Sequence, residues 1–265
     1  MTVANTNSLS TDFNVSPYFD DYSEDKNFHR VLFKPGLAVQ ARELTQLQTI
    51  LQNQVDRFGE HIFTEGSTVR GLEMTYDQNM KYVKLRDNDS TGASVNAAAF
   101  VGTTLTGGTS GVTAFVLDSL TGSEAGTPNT KTLYIKYTGA GSLGTAFLSG
   151  EQLTSNTAIS ANVCTEGAQS SQVVGTGSRI KFGDGIIYAK DHFIRVASSN
   201  TVVGRYSSNT NLKIGYDITE SVVSSSVDTT LLDPAQGSYN YAAPGADRLK
   251  LNATITTKAL TDTNV

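Results

Sequence analysis

The side chains with the strongest claim to chemistry fall in two stretches. Asp20, Asp21, Glu24 and Asp25 crowd one short segment, and carboxylates at that density suit a hard divalent cation. A calcium loop also needs a glycine at its sharp turn and a closing glutamate at set spacings. Neither is present, so the segment reads as a solvated acidic turn flanked by Tyr18, Phe19 and Tyr22. In the second stretch Asp184, Asp191 and His192 have the donor types of a metal or hydrolytic site. Nothing in their order brings them together, and the stretch reads as strands joined by tight turns. The three imidazoles, His29, His61 and His192, sit in no HExxH arrangement, and no GxSxG elbow occurs. His29 beside Arg30 reads as a packing or hydrogen-bonding residue. The Gly107-Gly108-Thr109-Ser110-Gly111 run lacks the lysine and the strand-to-helix context of a phosphate loop, so it reads as a turn. Cys164 is the single cysteine, in a strand-like run, and reads as a small core or surface residue. Carboxylate spacing alone leaves a glycosidase pair open. No residue is assigned as catalytic, cofactor-binding or metal-ligating, no cofactor is expected, and the chain reads as a non-enzyme.

The element around which the chain is organised is a helix. From Leu44 the apolar residues Leu47, Leu51, Val55, Phe58 and Ile62 recur in steps of three and four, which puts them on one side of an α-helix. Pro35 and Gly36 set it off from strand-like Val31-Leu32-Phe33, and Gly59 marks a place for a kink or stop. A helix over about residues 39–58 would be roughly 30 Å long. Its stripe must be buried, and two readings are open. Leu44, Leu47, Leu51, Val55 and Phe58 form an assembly interface with heptad-like spacing, as in a homo-oligomer such as a trimer, or they cover the chain's own sheet.

The chain has 265 residues, 24 of them glycine and 17% charged, and beyond the helix Thr and Ser are abundant between short apolar runs. This composition predicts a mainly β fold with one long N-terminal amphipathic helix and β-sandwich or barrel modules. A net charge of −5 and a pI near 5.2 argue against nucleic acid as a partner. No apolar run is long enough to suggest membrane insertion, and none resembles a signal peptide, so assembly in a cytoplasm is expected.

Four regions are expected: a flexible arm over 1–16, a helix-containing attachment region over 17–92, an inserted Thr/Gly-rich β module over 93–168, and a β region over 169–265 that completes the parent domain. Two hairpins are predicted outside the module. One joins residues 66–74 to 80–86 against the helix, and the other turns at Gly183-Asp184-Gly185 between Arg179–Phe182 and Ile186–Ala189, after which a further turn at Lys190-Asp191-His192 leads to the strand Phe193–Val196. The module holds a weak repeat. Gly102 to Thr109 with Ala114-Phe115-Val116 aligns with Gly150 to Thr157 and Ala161-Asn162-Val163, each copy reading as strand, turn, strand with Leu and Val on a common core. Leu133, Tyr134, Tyr137, Phe147 and Leu148 suit that core, or a binding surface.

The run YFDDYSEDKNFHRVLFKPGLAVQARELTQLQTILQNQVDRFGEHIFTEGSTVRG, residues 18–71, resembles the opening of a phage-virion domain family of unknown function. That family recurs in tail, baseplate and tail-fibre proteins of tailed phages, notably those infecting cyanobacteria. Residues 231–251, with Pro234, Gly237, Tyr239, Tyr241, Pro244 and Gly245, resemble its closing motif. The resemblance implies a structural component of a phage tail, at the baseplate or the root of a tail fibre, with other tail or baseplate proteins as partners and the virion as its location. It implies no catalytic residues. Tail depolymerases present long β-helical repeats, whereas one loose pair is visible here. The alternative is a host-binding adhesin whose inserted module contacts receptor or glycan.

Overall fold

A computed structural model describes residues 9–167 and 172–262. The fold is mainly β with one long helix, α1 (Ala41–Ile62). The strands are β1 (Thr68–Gly71), β2 (Met74–Leu85), β3 (Thr104–Gly107), β4 (Thr113–Leu120), β5 (Lys131–Gly139), β6 (Gln152–Ser155) and β7 (Ser160–Asn162). They continue with β8 (Val174–Phe182), β9 (Gly185–Ala189), β10 (His192–Val196), β11 (Ser199–Gly204), β12 (Leu212–Val223) and β13 (Arg248–Ala259). The chain divides into two compact units.

One unit comprises Met1–Met74, Phe182–Ser199 and Ile214–Thr256. Its sheet runs β1-β9-β10, and β12 pairs with β13 in a separate ribbon. Alternation along β9 and β10 sends Ile187, Ala189, Ile194 and Val196 to one face, where they meet Leu72, Tyr216, Ile218, Leu251 and Ala253. Tyr188 and Phe193, paired across the strands, point to the other face. They join Phe63 there, with ring centroids 5.2 to 5.9 Å apart. The helix begins after the turn at Gly36 (φ +84°), and the Gln40 N–H donates to Glu43 Oε2 at 2.8 Å, satisfying a donor left free at the helix start. It runs through Gly59 rather than stopping there.

Ser10 and Thr11, within the expected flexible arm, are tied to this unit more closely than their polar surroundings in sequence suggest. Ser10 N and Thr11 N each donate to the Glu220 carboxylate at 2.9 Å, and Lys190 pairs with the same group. Residues 1–8 of the expected arm, and residues 263–265 of the expected loose C-terminal end, lie outside the described residues.

The other unit comprises Thr75–Lys181, Asn200–Lys213 and Thr257–Val265. It therefore spans the whole of the expected 93–168 module, together with most of β2 and most of β8. Its eight strands run in the order β11-β8-β2-β5-β4-β3-β6-β7. The sheet curls until Leu85, at the end of β2, bridges to Val163 beyond β7. Arg86 N to Asn162 O and Cys164 N to Lys84 O, both 2.9 Å, complete the closure. Leu105, Val116, Leu153 and Val163, the matched positions of the repeat, are all buried in the enclosed core with Leu133, Ile135 and Phe147. The two copies meet through β3 and β6, with Leu105 opposite Ser155 and Gly107 opposite Leu153.

The turn over 190–192 forms and joins β9 to β10, but neither predicted hairpin outside the module does. β1 pairs with β9, whereas β2 pairs with β5. Between two neighbours, β2 buries both faces: Val83 and Leu85 enter the barrel core while Met80 and Tyr82 join Tyr134. Asp184-Gly185 does not reverse β8 onto β9, which belong to different sheets. The Asp184 carbonyl instead accepts from Leu72 N at 3.2 Å, and a Cβ on Gly71 would collide with it.

Candidate assembly surface

Two opposite faces of α1 have opposite chemistry, and it is the polar one that packs on the chain. Ile50, Asn53, Asp56 and Gly59 are buried, and three of these four are not hydrophobic side chains. The acidic segment supplies partners along this side. Asp20 is buried and accepts from the Thr49 hydroxyl, Asp21 accepts from Gln46 Nε2 at 3.1 Å with Arg42 Nη1 at 3.5 Å, and Glu24 pairs with Arg57. The expected solvated turn is thus a carboxylate clamp on the helix. Its acids are used as hydrogen-bond acceptors, which matches the mostly polar helix face they meet.

Toward the end of α1 the clamp gives way to Tyr188. Its ring lies against Gly59, and its hydroxyl donates to the Asp56 carbonyl at 3.2 Å. Burial pushes the Asp56 carboxyl up to about 6, against the lowering influence of a hydrogen bond from Gln52 Nε2 at 2.7 Å. Asp56 Oδ2 and Asn53 Oδ1 are buried with no hydrogen-bond partner among the described residues.

A helix turns roughly 100° per residue, which sets Leu44, Leu47, Leu51, Val55, Phe58 and Ile62 opposite this packed face. All six are exposed, Leu51 at 61% and Phe58 at 66%. The stripe therefore does not cover the sheet of its own unit. Three pairs, Leu44 and Val55, Leu47 and Phe58, Leu51 and Ile62, are each eleven residues apart. That repeat gives about 3.67 residues per turn, close to the 3.6 of a straight helix, so the stripe stays on one line where a strict heptad would drift. Gln48 and Gln54 flank it, and Glu43 stands beside Leu44 and Leu47 at its start. An apolar patch beyond a few hundred Å² on a folded surface marks an interaction site.

The residues singled out for chemistry do not converge. Asp184 precedes β9 and Asp191 and His192 follow it, so a five-residue strand, about 17 Å, separates them. His192 Nδ1 contacts the Lys190 carbonyl at 2.6 Å within its own turn, and Asp191 is buried in that turn. Asp184 lines a cleft of about 520 Å³ with Arg70, Glu73 and Arg195. His29 and His61 are exposed. Burial pushes the Cys164 thiol up to about 11, away from the thiolate that reacts. Among the described residues no group of three or more His, Cys, Asp or Glu could hold a metal ion, and no helix is long and apolar enough to cross a membrane.

The glycine-rich turn at 107–111 does hold an anion, and it is the chain's own. Glu151, buried at the head of β6, accepts from Thr109 N at 3.2 Å, Ser110 N at 2.9 Å, Ser110 Oγ at 3.0 Å and Leu148 N at 2.6 Å. Composition showed the turn, but not the acceptor folded into it from some forty residues away.

Residues 16–90 match a domain of unknown function, DUF4815, a span that includes the acidic clamp, α1, β1 and β2. Comparison with curated proteins gives no match.

Proposed function

We propose that this chain is a structural component of a phage tail, at the baseplate or the root of a tail fibre, and that it assembles with further copies of itself and with neighbouring tail proteins through α1. The observation that carries the assembly role is the outward-facing apolar stripe on a helix whose polar face is already occupied. Leaving six large apolar side chains in water is unfavourable, and a contact with a second apolar surface buries them. The tail setting rests on the resemblance of residues 18–71 and 231–251 to the phage-virion family. Of the residues offered for an adhesin surface, Leu133, Tyr134 and Phe147 are buried and Tyr137 and Leu148 are half-buried.

Sedimentation tests the assembly role. The native chain is expected to self-associate, and the Leu47→Gln, Leu51→Gln double variant to be a folded monomer; a native chain that stays monomeric at high concentration defeats it. A cryo-electron microscopy reconstruction of purified virions tests the setting, which fails if tails lack the chain.

A further inference from the structure

The second unsatisfied surface of this unit lies immediately before α1. Residues 28–40 have no strand or helix, and their turn bond, Leu37 N to Lys34 O at 3.3 Å, is the one backbone hydrogen bond seen within them among the described residues. Phe28, Leu32, Phe33, Leu37 and Val39 are all exposed. The segment does not cover the stripe of its own helix, because both surfaces are open in the same chain.

Size decides what fits them. Half-exposed large apolar side chains offer roughly 100 Å² each, so the six of the stripe reach about 600 Å², short of the roughly 800 Å² per partner of a stable interface. Adding the five of the segment brings the total to roughly 1,100 Å² per copy, above that threshold. Length agrees as well. An extended run of thirteen residues reaches about 45 Å at most, and a helix of α1's length is roughly 33 Å long. The eleven-residue repeat keeps the stripe straight, as an extended chain lying along it requires.

We propose that residues 28–40 of one copy lie along the α1 stripe of a second copy, a reciprocal exchange of an extended arm between subunits. This rests on the self-association through α1 proposed above and names what fills the stripe. Exchange buries both open surfaces of each copy at once, which pairing of α1 with α1 alone does not.

A photoreactive benzophenone side chain at position 33 replaces one aromatic ring with another at an exposed site. After irradiation of the full chain, covalent dimers are isolated and digested, and sedimentation of the same sample beforehand reports self-association. The expected result is an oligomer whose intermolecular links fall within residues 43–62. An oligomer with no such link overturns the exchange and leaves the α1 interface standing, whereas a monomer overturns both. Independently, Leu32→Gln with Phe33→Gln is expected to weaken association at least tenfold while the chain stays folded. Unchanged association overturns the exchange.

Discussion

The ring of Tyr188 occupies the space that a side chain at Gly59 would need. A Cβ built on Gly59 stands 2.5 Å from Cε2 of Tyr188, whose hydroxyl is anchored one turn earlier on the Asp56 carbonyl. Glycine inside a helix ordinarily costs about 1 kcal/mol relative to alanine, so its place here reflects the close approach of the ring.

Gly59→Ala is therefore expected to destabilise the unit despite better helix propensity, by about 1–3 kcal/mol from overpacking. Chemical denaturation measures it. The same substitution in a Tyr188→Leu background should recover the propensity gain, because the obstructing ring atoms are gone.

Asp56 gives stability a reversed pH dependence. Its folded carboxyl lies near 6, above the ordinary 3.8, so the folded state holds the proton more tightly than the unfolded one. The penalty for burying the charge is fully present above pH 6 and is relieved as pH falls toward 4. Glu220 acts in the opposite sense lower down. Burial alone would raise it, but hydrogen bonds from Lys190, Thr11 and Ser10 outweigh that and hold it at about 2, so its contribution is lost as pH falls below about 4.5. Denaturation midpoints should accordingly rise from pH 7 to about 5 and fall in stronger acid. Asp56→Asn should stabilise the chain at pH 7 and abolish the rise.

Glu151→Ala should destabilise the barrel unit by about 3 kcal/mol, since Thr109 N, Ser110 N and Leu148 N lose their charged acceptor together. Loss of hydrogen-exchange protection centred on residues 107–112 is the corresponding local readout. Glu151→Gln, which keeps one acceptor oxygen, should cost less.

Leu51→Ala separates core from surface on α1. A buried leucine would cost about 2–5 kcal/mol, whereas one this exposed should change the stability of the dilute monomer by no more than about 0.5 kcal/mol. Thermal unfolding at a concentration where sedimentation shows monomer decides between these values.

Local and periodic features were legible in the residues alone. The three-and-four spacing from Leu44 to Ile62 specifies a helix wherever it lies, and the strand-turn-strand repeat with Leu105, Val116, Leu153 and Val163 inward follows from period-two alternation. Tertiary structure decided which side of each element faces the chain and which strands pair. A hydrophobic stripe reveals that one side of α1 avoids water, but not what covers it. Only folding brings Asp20, Asp21, Glu24 and Tyr188 onto the polar side, and with that side occupied the stripe turns outward. The same holds for Asp184-Gly185 and for the Glu151 turn. Turn chemistry is written in neighbouring residues, whereas the partner of a strand edge or of a ring of N–H donors comes from distant chain, chosen by which arrangement satisfies the most buried polar groups.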